Sequence, residues 1–384
     1  MMALKTSAAR NLEDPWMDDP IWTAGLPLAL DYMLPEKPLD PEMRESASLW
    51  LYEESGVFGF PRNGLEAVGK VWENHRFDCN FAFAGGRVLR ESSRGRTRPA
   101  IGPDGRSNIL GAGPLVFRCV EPFRKWVVSY DGEAFDGSVA QQIAREFAVY
   151  ADAGPYSFPR AAITYEVELT MVTPAWIHDY RTEKLAGMSD KERTDAGLMG
   201  YGYRIEQLFR GEGTLTLDGM KRDFRAVGSR IHRQSVRPMA AFRGHCWQSA
   251  VFPDGRAFGY IAYPLRPGES EEDRYNIGYL YQNGRMYSAR ARSIPFLRRI
   301  MPRGDDVSVE LETELGVTKI GGATELSTFH LGNQGVNGFN NQQGGVRYRL
   351  DEMTAFGMIE RSSPANLCTI ETGGAPTAPP AYGS

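Results

Sequence analysis

The sequence has little cysteine and no long apolar run, and these two absences exclude several classes of protein. Four cysteines occur among 384 residues, and none are arranged in the C-x-x-C spacing typical of redox and zinc motifs. No apolar run approaches the roughly 20 residues that a membrane-spanning helix needs. The first residues also lack the basic, apolar and small-residue layout of a signal peptide. We therefore expect free thiols, a cytoplasmic location and no integral membrane segment.

The sequence also lacks a strong charge imbalance and the common cofactor motifs. A net charge of -4 and a pI near 5.9 give no general attraction to a phosphate backbone, so we expect no nucleic-acid partner. No P-loop, G-x-S-x-G elbow or dinucleotide-binding glycine motif occurs. The histidines do not form the paired ligands of a zinc helix. We expect a protein that needs neither a cofactor nor a metal.

What the chain does contain favours β-structure in two domains. A length of 384 residues fits two domains of roughly 170 residues better than one core. The 42 glycines and 17 tyrosines are typical of a β protein rich in turns.

Strict alternation of apolar and polar residues is the clearest pattern in the chain. In "AAITYEVELTMV" every second residue from Ile163 to Met171 is apolar, which predicts a strand with one buried face. "RFDCNFAF" and "DVSVELETEL" repeat the pattern. Pairs that favour tight hairpin turns lie between such runs: Gly85-Gly86, Asp131-Gly132, Asp218-Gly219, Asp254-Gly255 and Asn283-Gly284. The sequence predicts an all-β fold that is mainly an antiparallel meander.

Only residues 138–154 and 182–197 have a helical pattern. A weak repeat relates "FAFAGGRVLR" (81–90) to "AVFPDGRAFG" (250–259), which supports two similar halves. We place the boundary after a predicted hairpin. The prediction is an N-terminal domain of residues 1–228, a C-terminal domain of residues 229–372 and a disordered Gly/Pro/Ala-rich tail of residues 373–384.

Residues 212–259 resemble the centre of the double-lipocalin family, which includes carotenoid 1,2-hydratases, AttH-like proteins and fungal pericyclases and terpene cyclases. "SLWLYEESGVFGF" is similar to the first strand of that family. The resemblance implies two tandem lipocalin-like β-barrels with short helical insertions. It also implies an apolar pocket in or between the barrels for an isoprenoid or polyketide.

The family's central pattern is roughly Gly-x-Arg-Asp-His-x-Trp-Gly. Here Gly228, Arg230 and His232 match it, whereas Ile231 occupies the Asp position and Gln234-Ser235 replaces Trp-Gly. A mechanism that depends on that Asp cannot be transferred to this chain, so the resemblance implies a divergent branch.

Residues 230–249 concentrate the candidate chemistry, because they hold four arginines, two histidines and a tryptophan. His232 and His245 are candidate acids or bases, and each could equally be a hydrogen-bonded structural residue. Trp247 lies two positions from His245 and so shares its strand face, where a π face could stabilise a cation. Arg230 could bind a substrate oxygen or pair with a carboxylate. We expect this stretch to cross from one barrel to the other, with both histidines at a shared pocket.

Three further regions supply candidates. Trp50, Tyr52 and Glu54 share one face of the first strand, with Glu54 as a possible general acid or base and the two aromatic residues as ligand contacts. The glycine- and amide-rich residues 329–345 form either an ordinary loop or a pocket mouth at which His330 and Asn341 bind a ligand oxygen.

The leading functional hypothesis is a cofactor-independent lyase or isomerase. It would hydrate, dehydrate or cyclise a hydrophobic terpenoid, steroid-like or polyketide-like compound by acid/base chemistry. The alternative is a non-catalytic carrier of such a compound, and a third possibility is a scaffold with filled barrels and no small ligand. We expect a monomer or a homodimer.

Overall fold

The computed structural model describes residues 20–147, 158–331 and 338–371. About 58% of the structure is strand and 9% is helix, so the predicted all-β class is confirmed. Two closed antiparallel sheets follow one another along the chain. The proposed tail, residues 373–384, lies outside the described residues.

The first sheet contains eleven strands and closes on itself. Its strands are β1 (Arg44–Glu53), β2 (Phe58–Val68), β3 (Asn74–Phe83), β4 (Arg87–Arg96), β5 (Ile109–Ala112), β6 (Leu115–Glu121), β7 (Lys125–Ser138), β8 (Arg160–Met171), β9 (Trp176–Asp179), β10 (Tyr201–Leu217) and β11 (Met220–Val236). The order β4-β3-β2-β1-β11-β10-β8-β7 is closed by pairing of β4 with β7. We call these eight strands barrel 1.

The alternation that predicted β8 is fully realised. From Arg160 to Met171 exposed and buried residues alternate without exception, so one face of the strand packs in the core and the other contacts water. A strand with period two buries one face only when its sheet is covered on one side. β8 therefore lies on a side of barrel 1 that faces water.

The prediction of a turn at Asp131-Gly132 is wrong. Both residues lie within β7, where they pair with Thr164 and Ile163 of β8. The other edge of β7 pairs with β6 up to Tyr130 and with β4 from Phe135 onward. The glycine thus lies between the two partners along one edge of a long strand.

The turns at Asp218-Gly219 and Asn283-Gly284 are confirmed. All four residues have positive φ angles between 52° and 76°, as the tight turns of two-residue hairpins require. The first turn joins β10 to β11. The second joins β14 to β15 of the next sheet.

Among the described residues, the three α-helices lie in or beside the two ranges where helix was predicted, and only short 3-10 helices lie elsewhere. The α-helices are α1 (Val139–Ile143), α2 (Thr182–Leu185) and α3 (Asp190–Met199), and short 3-10 helices span Leu28–Asp31, Gly69–Val71 and Ala365–Leu367. Capping boxes at Ser138 and Ser189 begin α1 and α3. The first helix is much shorter than predicted, because α1 ends at Ile143 and Arg145 has a positive φ angle of 62°. Residues 148–154 of that prediction lie outside the described residues.

The second sheet is a closed barrel of eight strands, here called barrel 2. Its strands are β12 (His245–Val251), β13 (Ala257–Ala262), β14 (Asn276–Gln282), β15 (Arg285–Arg292), β17 (Val309–Thr313), β18 (Gly316–His330), β19 (Phe339–Leu350) and β20 (Met353–Pro364). Pairing of β12 with β20 closes it. A separate parallel pair joins β16 (Arg299–Ile300) to β21 (Thr369–Ile370).

The predicted domain boundary at 228 falls inside a strand. Gly228 lies midway along β11, which pairs with β10 along its whole length. The chain leaves barrel 1 after Val236 and enters barrel 2 at His245. Because a domain boundary cannot divide a fully paired strand, the change of barrel is better placed at residues 237–244.

The described residues form four buried apolar clusters, the smallest of which includes Phe123 and Ile205. The lumen of barrel 1 is filled by buried side chains such as Leu49, Phe60 and Tyr165, and a separate cluster fills barrel 2. A third cluster lies at the junction of the barrels and includes Trp50, Ile231 and Trp247. Since side chains pack the lumens, space for a ligand remains at the ends of the barrels and between them.

A buried ion pair holds the N-terminal segment in barrel 1. Asp31, fully buried, accepts hydrogen bonds from both terminal nitrogens of Arg230 at 2.7 and 2.8 Å. It also accepts from the backbone N–H of Phe123 and from Nε1 of Trp126. Burial alone would raise the pKa of Asp31, but the charges and hydrogen bonds of Arg230 and His232 lower it to about 2.

Replacing Arg230 should destabilise the protein strongly. We expect Arg230→Met to lower the free energy of unfolding by about 3–5 kcal/mol, because Asp31 would be left buried and uncompensated. Urea denaturation measures this loss.

The matched control is Arg225→Met on the same strand. Arg225 has a side chain 75% exposed and pairs only with exposed Glu212, so its replacement should change the free energy of unfolding by less than about 0.5 kcal/mol. Equal effects of the two substitutions would contradict the anchoring role of Arg230.

Candidate functional site

A cavity of about 150 Å³ lies where the two barrels meet. Barrel 1 contributes the outward faces of β1, β2, β10 and β11, and barrel 2 contributes those of β12, β13, β19 and β20. The lining residues are Ser46, Ser48, Trp50, Arg62, Glu66, Met199, Arg204, Ile231, Arg233, Arg237, Met239, Phe242, His245, Trp247, Ile261, Tyr263, Asn341, Gln343 and Glu360. We call this space the inter-barrel cavity.

Strand register in barrel 2 places the polar residues of the cavity in two rows. In the first row His245 faces Ser362, which faces Asn341 across the next ladder. In the second row, two residues along each strand, Trp247 faces Glu360, which faces Gln343. Because residues two apart share a strand face, both rows point to the junction.

His245 and Glu360 form the centre of this arrangement. Nε2 of His245 lies 3.4 Å from Oε1 of Glu360, and Nδ1 lies 2.8 Å from Oγ of Ser362. Gln343 donates a hydrogen bond of 2.9 Å to the other Glu360 oxygen. Burial would raise the pKa of Glu360, but the hydrogen bond and charge of His245, the charge of Arg62 and the hydrogen bond from Gln343 outweigh burial and lower it to about 2. Glu360 is therefore ionised at neutral pH and is suited to stabilise a protonated imidazole.

Two tryptophans form an aromatic wall beside this pair. The rings of Trp50 and Trp247 are 4.6 Å apart at an interplanar angle of 80°, which is the edge-to-face geometry favoured by aromatic pairs. The guanidinium of Arg204 lies 4.7 Å from the Trp247 ring centre. Trp247 donates its indole N–H to the buried carboxyl of Glu206 at 3.1 Å. The wall joins both barrels, since Trp50 is on β1 and Trp247 on β12.

Two predicted site residues lie elsewhere, on the opposite face of β11. Arg230 points into the lumen of barrel 1, where it pairs with Asp31. His232 lies beside it, with Nε2 3.1 Å from Glu45 and Nδ1 3.5 Å from Asp31. Residues 230 and 232 share one face of the strand, whereas Ile231 and Arg233 face the inter-barrel cavity. Thus the two histidines of residues 230–249 are not brought together.

The glycine of the central motif has a steric role. A Cβ atom on Gly228 would lie 1.9 Å from the carbonyl oxygen of Trp50. Strands β1 and β11 can approach this closely only with glycine at that position. The approach helps to place Trp50 at the junction.

Of the three candidates on the first strand, only Trp50 lines the inter-barrel cavity. Trp50 lines the cavity, but Tyr52 is buried beside it and donates its hydroxyl to the carbonyl oxygen of Gly344 at 2.6 Å. This hydrogen bond connects barrel 1 to barrel 2. Glu54 lies outside the cavity, with a side chain 46% exposed and 3.8 Å from Arg210.

The amide-rich stretch is not simply a loop. Residues 332–337 lie outside the described part, while His330 ends β18 and Asn341 lies in β19. Asn341 lines the inter-barrel cavity. His330 contacts Arg90 through Nδ1 at 2.9 Å, and burial, with the charge of Arg90, lowers its pKa to about 3. His330 is therefore neutral at physiological pH.

Sequence reasoning missed Glu360 and Arg204, whose local sequences carry no distinctive motif. Gln343 lies within the amide-rich stretch 329–345, but His330 and Asn341 were the candidates there. The alternation of β20, in which Ile359 and Arg361 face inward, could have placed Glu360 on the junction face. Nothing in the sequence alone could have paired it with His245.

A larger cavity of about 900 Å³ opens at one end of barrel 1, lined in part by Trp72, His75 and Arg96. It is an open cleft whose walls come from barrel 1 and the preceding segment. His75 is buried there, and burial lowers its pKa. The inter-barrel cavity is the better candidate because it combines a histidine–carboxylate pair with aromatic residues from both barrels.

Within residues 20–147, 158–331 and 338–371, no group of three or more His, Cys, Asp or Glu side chains is arranged to hold a metal ion. In the same ranges no helix is long and apolar enough to span a membrane.

Two antiparallel barrels joined through a shared cavity define the double-lipocalin fold. An AttH-like protein of Nitrosomonas europaea shares it at a TM-score of 0.50 and 13% identity, over 83% of this chain and 92% of that chain. The structure of CghA with Sch210972 matches at 0.50 and 11% identity, over 85% and 89%. Kievitone hydratase from Nectria haematococca matches at 0.46 and 9% identity, over 87% and 94%.

The chain belongs to the family described as Domain of unknown function (DUF7064), whose sequence profile matches residues 31–365. No curated protein matches the chain. The family match extends across both barrels.

The buried His232 should make stability depend on pH. Burial alone would lower its pKa, but the hydrogen bond to Glu45 and the charges of Glu45 and Asp31 outweigh burial and raise it above its ordinary value of 6.5. A raised pKa adds stability that is fully present below pH 6.5 and is lost as the pH rises through the folded-state pKa.

We therefore expect His232→Gln to lower the free energy of unfolding more at about pH 5.5 than at about pH 9. Urea denaturation of both proteins at each pH measures the difference, and groups common to both largely cancel. A loss that is equal at the two pH values, or larger at the higher one, would contradict the charged pairing of His232.

Proposed function

We propose that this protein is a cofactor-independent lyase or isomerase that acts on a hydrophobic small molecule in the inter-barrel cavity. The observation that carries the proposal is the His245–Glu360 pair facing a cavity with a Trp50–Trp247 wall. The substrate class proposed is a terpenoid, steroid-like or polyketide-like compound. The reaction proposed is hydration, dehydration or cyclisation.

In this proposal His245 transfers the proton. Its contact with Glu360 at 3.4 Å is longer than an ordinary hydrogen bond, so a substrate oxygen in the cavity can compete for Nε2. The ionised Glu360 then stabilises the protonated imidazole, and Ser362 fixes the ring through Nδ1. Asn341 has a buried carbonyl oxygen without a hydrogen-bond partner in the described structure, which can accept from a substrate hydroxyl.

The aromatic wall would stabilise positive charge. Protonation of an alkene or loss of a hydroxyl as water leaves cationic character on carbon, which the faces of Trp50 and Trp247 can accommodate. The CghA structure contains Sch210972, which is consistent with this fold accommodating a bound compound.

Incubation with a panel of terpenoids, steroids and polyketides, followed by mass spectrometry of bound and released compounds, tests the proposal. We expect the wild type to convert at least one compound. His245→Gln should lower its turnover by about 10²-fold or more, because it removes the proton-transferring group. Glu360→Gln should also lower turnover, because it removes the charge that stabilises the imidazolium.

Glu54→Gln is the matched control for Glu360→Gln and should retain wild-type turnover, since Glu54 lies outside the cavity. Thermal unfolding of each variant separates lost chemistry from lost folding. Full turnover by folded His245→Gln would refute the assignment of His245. Recovery of only unchanged compound from a tight wild-type complex would favour the carrier, and binding of no compound would favour the scaffold.

A further inference from the structure

Three arginines converge on one wall of the inter-barrel cavity. Arg204 on β10 and Arg233 on β11 are direct cross-strand partners, and Arg237 follows the end of β11 by one residue. All three side chains line the cavity. Like charges at opposed positions of an antiparallel pair destabilise a sheet, so this placement calls for a compensating anion.

The three guanidinium groups have few partners. Arg204 is buried and lies 2.8 Å from Glu206, yet its Nε and Nη1 have no hydrogen-bond acceptor in the described structure. Arg233 has no ion pair there, and its Nε also lacks an acceptor. Arg237 donates Nε to the carbonyl oxygen of Leu198 at 2.7 Å. A guanidinium presents five N–H donors, so most of the N–H groups of these three arginines remain available to a ligand.

The neighbouring carboxylates are already engaged. Glu66 pairs with Arg44 at 3.3 Å, and Glu360 contacts His245 and Gln343. Glu206 accepts from Trp247 as well as lying against Arg204, and burial raises its pKa despite the opposing charge of Arg204. The cavity wall therefore carries excess positive charge.

The proximity of the arginines to one another is consistent with this excess. Burial, followed by the charges of Arg237 and Arg204, lowers the pKa of Arg233 well below its ordinary range. Arginine nevertheless stays protonated in proteins. Loss of a proton therefore does not relieve the repulsion, whereas a bound anion would relieve it.

We propose that Arg204, Arg233 and Arg237 form an anion subsite, which binds a carboxylate or enolate oxygen of an otherwise hydrophobic ligand. The body of the ligand would lie against Trp50 and Trp247 on the same cavity. This inference rests on the proposed function only for the location of the site, because a carrier could use the same subsite. It narrows the ligand class from hydrophobic to hydrophobic and anionic.

A pair of probes that differ only in charge tests the subsite. 2-Naphthoate and 2-naphthamide have the same aromatic body, and titration calorimetry gives the affinity of each. We expect the wild type to bind 2-naphthoate about 10-fold or more tightly than 2-naphthamide, because charge-assisted guanidinium–carboxylate hydrogen bonds are stronger than neutral ones. Raising the ionic strength should weaken only the naphthoate complex.

Variants then locate the effect. Arg233→Gln and Arg237→Gln should each weaken 2-naphthoate binding by about 10-fold and leave 2-naphthamide binding unchanged. Arg225→Gln, an exposed arginine on the same strand, should change neither affinity. Both cavity variants should unfold at or above the wild-type temperature, because each removes a poorly compensated charge.

Equal affinity of the wild type for the two probes, or no measurable binding of 2-naphthoate at millimolar concentration, would overturn the subsite. So would an unchanged acid-to-amide preference in both cavity variants. Neither probe has to react, so the failure of the proposed function is seen separately. Turnover could be absent while the preference for naphthoate remains, or the preference could be absent while turnover remains.

Discussion

Strand β1 and the parts of β10 and β11 that lie beside barrel 2 bury both of their faces, and the site depends on this constraint. Alternate residues of β11 serve two environments: Arg230 and His232 face the lumen of barrel 1, while Ile231 and Arg233 face the second barrel. A strand buried on both sides cannot place its polar residues in water, so each needs a partner or a cavity. In the lumen, Asp31 and Glu45 are the partners of Arg230 and His232. At the junction, Arg233 faces a cavity.

The two sides of β11 therefore differ in electrostatic balance. On the lumen side Arg230 meets Asp31 in a bidentate ion pair, which is suited to fixing the N-terminal segment. On the junction side Arg233 opposes Arg204 across the ladder, and of the two only Arg204 has a carboxylate partner, Glu206, among the described residues. Structural arginines are paired in this way, whereas incompletely paired buried ones are a reason to look for a ligand.

Local patterns predicted much of the fold because they depend on neighbours in sequence. Period-two alternation identified β8, and Asp218-Gly219 identified the hairpin of β10 and β11. The pair Asp131-Gly132 predicted a turn wrongly, because its glycine lies within a strand that pairs with different strands along its length. Such a change of pairing leaves no pattern in the local sequence. The predicted boundary at 228 lies inside β11 for a related reason, since the second strand of the hairpin that precedes it continues to Val236.

The sequence by itself determined the all-β class and the shared face of His245 and Trp247, because both follow from alternation along one strand. It also singled out Trp50 and Asn341, which line the cavity. Only the tertiary structure decided that His232 belongs to the lumen and that Glu360 is the neighbour of His245. Those pairings depend on which strands lie side by side, and closure of the barrel brings together residues more than a hundred positions apart. Chain separation of that size leaves no trace in local sequence.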